Sequence, residues 1–158
     1  MHYTREYYDH EPLDVTYGVL PSLGYRFTPL FSLSGGMGWI QTDYDEDDRR
    51  QQDKESITAW LNPLLSLNTG RTLLSVHLLY EDSQAEAERY SYDGYEGALG
   101  VHQKAFWDTD LSLRYKIAFR HYEDPALGWL EDRSDTRHDL YTSLGRKVWG
   151  PASASVYA

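Results

Sequence analysis

Hydrophobic and polar residues alternate along most of the chain, and the alternation is clearest over residues 110–122. A period of two is typical of a β-strand, because successive side chains point to opposite faces. One side of this segment is apolar, whereas the other carries three cations. Burying these cations away from water would be unfavourable unless each had a partner of opposite charge. The segment therefore has either protein on its apolar side and water on its polar side, or lipid outside and water inside a barrel.

The same alternation predicts further strands joined by hairpins. We expect strands at residues 13–27, 31–44, 56–68, 72–80, 90–106, 110–122, 137–148 and 152–158. Residues 1–12 are polar and rich in tyrosine, and we expect them to form an arm ahead of a β-barrel domain at residues 13–158. Pro21 and Pro63 fall inside predicted strands and indicate bulges or edges, because proline cannot donate a ladder hydrogen bond.

The connections differ between the two ends of the predicted strands. Tight turns are expected near residues 29, 69, 108 and 150, and longer charged loops at residues 45–54, 81–89 and 123–136. Short turns at one end and long polar loops at the other are typical of outer-membrane barrels. The last strand has only about seven residues, whereas a membrane strand needs about 9–11. We therefore expect the chain to be a piece of a larger barrel.

The fifth and sixth predicted strands can be paired by placing their turn at Asp108. The pairs that follow are Leu99 with Ile117, Val101 with Tyr115, Gly97 with Phe119, Glu96 with Arg120, and His102 with Arg114. This register places apolar residues opposite one another on one side and polar residues on the other, with Glu96 opposite the cation Arg120, as a stable hairpin requires.

Three sets of candidate functional residues follow from the strand pattern. The polar set, expected to line the lumen of a barrel, comprises Glu96, His102, Lys104, Arg114, Lys116, Arg120 and Asp139. The apolar set, expected to face lipid, comprises Leu99, Val101, Leu111, Leu113, Tyr115, Ile117 and Phe119. Two aromatic girdles are expected at the membrane interfaces. They comprise Tyr25, Phe27, Phe31, Phe106, Trp107 and Trp149 at the tight-turn end, and Tyr44, Tyr80, Tyr90, Tyr92, Tyr95 and Tyr122 at the loop end.

The cations of the polar set have two interpretations. They could form a basic stripe that favours anionic solutes in a pore. Alternatively, they pair with carboxylates on neighbouring strands, since opposite charges across strands stabilise sheets. The candidate partners are Glu96, Asp110 and Asp139. We favour the second interpretation.

The sequence contains no recognisable catalytic or metal-binding motif. Six histidines are present, but we find neither a His-x-Ser pair on a strand nor a nucleophile elbow. The acidic residues 43–48 lack the glycine and the spaced glutamate of a calcium loop, which indicates a solvated acidic loop. We therefore expect no enzymatic activity, no cofactor and no metal.

Composition narrows the environment of the protein. A net charge of -10 argues against nucleic acid, because phosphate binding needs a basic surface. The fourteen tyrosines and five tryptophans suit membrane interfaces, where one end of a side chain is dry and the other wet. The first residues do not resemble a signal peptide, so an extracytoplasmic location would require a leader elsewhere or a longer chain.

The chain resembles a known family over residues 70–158. The resemblance rests on GRTLLSVHLLYEDSQAEAERYSYDGYEGALG at residues 70–100, DLSLRYKIAFRHYE at residues 110–123 and EDRSDTRHDLYTSLGRKVWG at residues 131–150. These segments resemble the C-terminal barrels of surface lipoprotein assembly modifier-like proteins. In that family a periplasmic tetratricopeptide domain precedes an outer-membrane barrel that helps lipoproteins to reach the cell surface.

Together, the pattern and the resemblance predict an all-β, antiparallel, up-and-down transmembrane β-barrel, or a barrel segment, of about eight strands in a bacterial outer membrane. We expect a pore or an export channel, with surface lipoproteins as candidate cargo. The expected partners are outer-membrane lipid and lipopolysaccharide, an exported lipoprotein, or further barrel strands from another chain or a missing segment. Two alternatives are a soluble ligand-binding barrel of lipocalin type, with its apolar faces inward, and an outer-membrane enzyme that modifies lipid.

Overall fold

The structure, a computed structural model, describes residues 2–8, 11–44, 50–105, 109–122, 133–149 and 152–157. Side chains are described at residues 14–44, 51–105, 109–122 and 133–145. Within these ranges the regular structure is β-strand, apart from three single-turn 3-10 helices at Arg50–Gln52, Asn68–Gly70 and Glu88–Tyr90. None of the helices in the described ranges is long and apolar enough to cross a membrane.

Ten strands of the described residues form one antiparallel sheet. They are β1 (His2–Tyr8), β2 (Glu11–Val19), β3 (Ser22–Arg26), β4 (Phe31–Tyr44), β5 (Lys54–Leu67), β6 (Thr72–Ala85), β7 (Tyr92–Lys104), β8 (Thr109–Tyr122), β9 (Ser134–Trp149) and β10 (Ala152–Tyr157). The spatial order is β1-β2-β4-β5-β6-β7-β8-β9-β10, and β3 also pairs with β4. The prediction of an all-β, antiparallel, up-and-down sheet is therefore confirmed.

The described strands do not form a closed barrel. β1 and β10 lie at the two edges of the sheet. β10 pairs with β9, where Tyr157 lies opposite Ser143, and within the described ranges it does not reach β2 or β3. At the other edge, the segment that we expected to be a polar arm contains β1, which pairs with β2 along its length.

β2 and β3 are two parts of one interrupted strand. Both pair with β4 in a single register, from Asp14 opposite Tyr44 to Arg26 opposite Ser32. The interruption falls at Leu20 and Pro21 without a change of register, so the bulge that was one of our two expectations is absent. Among the described strands β3 pairs with β4 alone, so Pro21 borders a strand with one open side, which fits the edge that was the other expectation.

Two glycines of β4 let this interruption lie close against the strand. A Cβ on Gly38 would lie 2.8 Å from Leu20 Cγ, and a Cβ on Gly36 would overlap the backbone oxygen of Pro21. Real Cβ atoms essentially never approach other heavy atoms so closely. A side chain at either position would therefore push the interrupted strand away from β4.

Pro63 produces a gap in the ladder between β5 and β6. The two strands pair up to Leu61 opposite Leu78 and resume at Leu64 opposite Ser75, in an unchanged register. Because Pro63 has no N–H, the ladder cannot be completed there. The expectation of a bulge or an edge at Pro63 was wrong, since β5 is an interior strand with pairing on both sides.

The predicted hairpin of β7 and β8 is confirmed, but its predicted register is wrong by two residues. The hairpin closes through a hydrogen bond from the Ala105 N–H to the Thr109 carbonyl oxygen (2.7 Å). The pairs are Gly97 with Ile117, Leu99 with Tyr115, Val101 with Leu113, Glu96 with Ala118, and His102 with Ser112. A shift of two keeps every side chain on its own face, so the facial pattern could not distinguish the two registers.

The turn between β5 and β6 is longer than expected. Gly70 has the positive φ that we predicted (86°), but Asn68 (50°) and Thr69 (56°) share it. The Arg71 N–H bonds to the Asn68 carbonyl oxygen (3.2 Å). The connection is thus a turn of several residues rather than a two-residue hairpin loop.

Burial on this sheet is the reverse of that in a soluble protein. The apolar face, which carries Leu99 and Ile117, holds most of the exposed large hydrophobic residues, including Leu23 (82% exposed) and Met37 (66%). The polar face, which carries Glu96 and Lys116, holds the buried strand residues. Apart from glycines, these are Asp14, Thr42, Ser56, Thr58, Ser83, Tyr92 and Ala98. The most buried side chains of the strands are therefore mostly hydroxyl-bearing, and the most exposed large ones are mostly leucines, valines and aromatic residues.

Candidate functional site

The polar face of β5 to β9 brings together all seven residues of the predicted polar set. Antiparallel partners point to the same side of a sheet, so the observed pairings assign each residue to a face. The residues placed there are Glu96, His102, Lys104, Arg114, Lys116, Arg120 and Asp139. This face is therefore the candidate functional site.

A continuous row of polar contacts, here called the polar belt, crosses the five strands β5 to β9. Its members are Asn62, His77, Glu96, Lys116, Asp139 and Arg137. It begins at the gap caused by Pro63, where His77 Nδ1 lies 2.5 Å from Asn62 Oδ1. The other ring nitrogen of His77, Nε2, lies 3.9 Å from Glu96 Oε1. A side-chain contact thus joins β5 and β6 where the backbone ladder is absent.

Lys116 is the centre of the polar belt. Its Nζ donates to Glu96 Oε2 (3.2 Å) and lies 3.6 Å from Asp139 Oδ2. Asp139 also accepts a hydrogen bond from Arg137 Nε (2.9 Å). For Lys116, pairing with neighbouring carboxylates is therefore confirmed, as we favoured.

The predicted pair of Glu96 with Arg120 is wrong. Arg120 lies opposite Gly94 and stacks on Tyr92, with Cζ 4.7 Å from the ring centre. Tyr92 is 5% exposed, and the Nζ of Lys54 lies 5.7 Å from the same ring. Two cations beside one buried ring indicate cation–π stabilisation at the loop end of the polar face.

His102, Ser112 and Asp110 form a second cluster at the tight-turn end. His102 Nδ1 lies 2.8 Å from Ser112 Oγ, and Nε2 lies 3.4 Å from Asp110 Oδ1. The contact joins β7 to β8, so a His-x-Ser pattern within one strand could not reveal it. The backbone around Ser112 pairs with β7 on one side and with β9 on the other.

The apolar face contains all seven residues of the predicted apolar set. They are Leu99, Val101, Leu111, Leu113, Tyr115, Ile117 and Phe119. Leu99 is the most exposed of them, at 62%. One polar contact occurs among them, between Tyr115 Oη and His138 Nδ1 (2.6 Å). A continuous exposed surface of this kind marks a contact with lipid or with another protein.

The aromatic girdles are only partly assembled on the apolar face. At the tight-turn end Phe27 packs on Tyr25 and Phe31, with ring centres 4.9 and 5.5 Å apart. At the loop end the rings of Tyr80 and Tyr95 lie 5.1 Å apart on the apolar face.

Several members of the girdles lie elsewhere. Tyr44, Tyr92 and Tyr122 point to the polar face, since Tyr44 pairs with Asp14 and Tyr92 with Tyr122. The position of a residue along its strand decides at which end of the sheet it lies, whereas an odd or even position in the strand decides which face it points to. These three tyrosines point to the polar face, so they cannot belong to a girdle on the apolar face. Tyr90 lies in the 3-10 helix Glu88–Tyr90. Phe106, Trp107 and the side chain of Trp149 lie outside the described residues.

No candidate metal site is found in the part of the chain that the structure describes. The acidic loop falls largely outside it, since residues 45–49 are not described. Of that cluster Asp43 is described, and its Oδ1 accepts a hydrogen bond from Gln41 Nε2 (2.9 Å).

Comparison with known proteins supplies the family. No curated protein and no solved structure matches the chain. The family model for SlipAM, the surface lipoprotein assembly modifier, matches residues 1–152. That match includes the N-terminal strands, which the resemblance seen in the sequence did not cover. Because it spans nearly the whole chain, the protein belongs to the surface lipoprotein assembly modifier family.

Proposed function

We propose that this chain forms part of an outer-membrane β-barrel, with its apolar face against lipid and its polar face along a water-filled passage. The passage would serve the export of lipoproteins to the cell surface, in keeping with the family. The single observation that carries the proposal is the reversed burial, with exposed leucines on one face and buried serines and threonines on the other.

Reversed burial has a simple energetic meaning. Apolar surface in water costs about 25 cal/mol per Å² relative to an apolar environment. An exposed apolar face that extends over β4 to β9 is therefore unfavourable in water and favourable in a hydrocarbon layer. Antiparallel strands also satisfy one another's backbone groups, which a membrane interior requires.

The soluble ligand-binding barrel is disfavoured by the same observation. In such a barrel the apolar side chains point inward and are buried, and the polar side chains meet solvent. Here Leu99 is 62% exposed, whereas Ser83, on the opposite face, is 1% exposed.

The open edges of the sheet require partners in a membrane. Unpaired backbone donors and acceptors in hydrocarbon cost several kcal/mol each. We expect β1 and β10 to be covered there by further strands, either from the same polypeptide or from another chain. Closure of this kind would turn the polar face into the lining of a lumen.

The facing of the sheet can be tested with introduced cysteines, because the chain has none of its own. Leu99→Cys and Leu113→Cys on the apolar face are expected to resist a water-soluble maleimide and to react with a lipid-soluble one. Ser75→Cys and Ser112→Cys on the polar face should react with the water-soluble reagent in the intact outer membrane. The reverse pattern would overturn the proposed facing.

Export is tested separately, in cells that also produce a surface lipoprotein. Surface exposure of that lipoprotein, measured by its protease accessibility on intact cells, should require the protein. A Lys116→Glu variant, which places three carboxylates together in the polar belt, should lower surface exposure if the polar face lines the passage. Normal lipoprotein exposure in cells without the protein would refute the export role while leaving the facing unaffected.

A further inference from the structure

A polar pocket, here called the Arg114 pocket, lies on the polar face beside the polar belt. Its volume is about 420 Å³, which falls in the range of small-molecule sites. Its lining includes Ser34, Asn62, Ser75, His77, Gly100 and Arg114. The lining comes from β4, β5, β6, β7 and β8, so the pocket is built by the tertiary pairing of the strands rather than by one loop.

The pocket exists because β7 contributes almost no side-chain volume there. Ala98 lies opposite His77, and Gly100 lies between Ser75 and Arg114 in the sheet. A Cβ on Gly100 would overlap Ser75 Oγ, so the Ser75 hydroxyl occupies the space that a side chain on Gly100 would need. Glycine at residue 100 thus keeps the floor of the pocket open.

Two hydrogen-bond donors flank Gly100 in the sheet. Ser75, on β6, carries a hydroxyl on one side, and Arg114, on β8, carries a guanidinium on the other. Arginine presents five N–H donors in a planar fork that matches the oxygens of phosphate and carboxylate groups. Donors on two sides of an open floor suit an anion with several oxygens, such as phosphate.

Arg114 is the cation of the central polar face that lacks a compensating charge in the described ranges. Its partners across the sheet are Gly100 and Tyr141, neither of which is acidic. The carboxylates of the polar belt are bonded to Lys116 and Arg137 instead. Among the described residues Arg114 therefore makes no ion pair, and its positive charge is available to a ligand.

We propose that the Arg114 pocket binds a phosphate group, held by the Arg114 guanidinium and by the hydroxyl of Ser75. The phosphate could be the free ion or the phosphate of a larger headgroup, since the pocket is larger than the ion itself. The inference rests on the proposed function in one respect, because the polar face must be open to water. It adds a ligand class to that face.

Binding is measured by isothermal titration on the full chain, refolded in detergent, with chloride as the counter-ion control at constant ionic strength. Inorganic phosphate should bind, and Arg114→Gln should weaken its affinity at least about tenfold, as loss of a charged hydrogen bond does. Arg114→Lys keeps the positive charge but lacks the planar guanidinium, so its affinity for phosphate should lie between those of the parent protein and Arg114→Gln. Lys104→Gln is the matched control, because it removes one cation of the same face outside the pocket.

A second variant tests the pocket without changing any charge. Gly100→Val fills the floor beside Ser75 and should abolish binding, whereas Gly97→Val, on the apolar face of the same strand, should not. Circular dichroism of each variant checks that the sheet has formed. Equal phosphate affinity in the parent protein and Arg114→Gln, or no phosphate binding by the parent protein, would overturn the inference.

Two further measurements identify the source of the phosphate group and show which proposal fails if no binding is seen. Glycerol 3-phosphate is the probe for a headgroup. Tighter binding of glycerol 3-phosphate than of inorganic phosphate identifies a headgroup as the source, and equal or weaker binding identifies the free ion. Labelling of the Ser75→Cys variant by the water-soluble maleimide reports the facing independently. A reactive thiol in that variant, with no phosphate binding by the parent protein, would refute the phosphate site alone, and an unreactive thiol would refute the proposed facing.

Discussion

Glu96 is hydrogen-bonded to Lys116 (3.2 Å), although the residue directly opposite Glu96 in the sheet is Ala118. The ion pair is therefore diagonal, and it depends on the register of β7 and β8. Both side chains are about one-fifth exposed (19% and 21%), so water screens this pair less than it would on an open surface. Lys116 also reaches Asp139, which extends the contact to β9.

This relationship predicts an energetic coupling between Glu96 and Lys116. In a double-mutant cycle with Glu96→Gln and Lys116→Met, we expect a coupling free energy of about 0.5–3 kcal/mol, as for residues in one polar network. The measurement is reversible urea unfolding of the refolded protein. The matched cycle uses Glu96→Gln and Arg120→Gln and should give a coupling close to zero, because Arg120 stacks on Tyr92. Coupling of Glu96 to Arg120 instead of to Lys116 would contradict the observed register of β7 and β8 and would support the one that places Glu96 opposite Arg120.

The two faces should respond differently to a charge. Ile117→Arg places a cation on the apolar face and should destabilise the protein in a bilayer by about 2–4 kcal/mol, the cost of arginine near the membrane midplane. Ala118→Arg places the same charge on the polar face beside Glu96 and should cost much less. Both are measured by refolding into lipid vesicles and by the heat-dependent shift in gel migration. Equal refolding of the two variants would show that the facing is wrong.

The close contact between β4 and the interruption at Leu20 predicts that Gly38 cannot be replaced without cost. Gly38→Ala would place a Cβ 2.8 Å from Leu20 Cγ and from the Val19 carbonyl oxygen. We expect a loss of about 1–3 kcal/mol, as for overpacking in other proteins. Gly24→Ala is the control, because the nearest heavy atom to its Cβ would be Ser34 Cβ, at 3.4 Å. Denaturant titrations of both variants measure the difference, and equal stability would refute the close contact.

The buried hydroxyl pair Ser56 and Ser83 predicts a non-additive effect. Ser56 Oγ donates to Ser83 Oγ (3.0 Å), and Ser83 is 1% exposed. Ser83→Ala or Ser56→Ala removes this buried hydrogen bond, which should cost about 1–3 kcal/mol. The double variant should cost less than the sum of the two single variants, because both single variants lose the same hydrogen bond. The same denaturant titration tests this, and simple additivity would count against the pair.

The sequence by itself determined most of the strands, their order and the membership of each face. Leu99 and Ile117 fall on one face, and Glu96 and Lys116 on the other, as the alternation predicts. This information is local, because the backbone of a strand sends neighbouring side chains to opposite sides whatever the partner strand is. The family was also visible in residues 70–158, and the family match confirms it.

Only the tertiary structure decided which strand positions meet and which face is buried. A slip of two residues leaves every face unchanged, so the alternation could not choose Lys116 rather than Arg120 as the partner of Glu96. The contact of His102 with Ser112 and the open floor between Gly100 and Arg114 both depend on that choice. Burial likewise depends on all the strands together, because each side chain is covered by its neighbours across the sheet. The alternation would be the same for a soluble barrel, and the exposed leucines opposite buried serines are visible only in the tertiary structure.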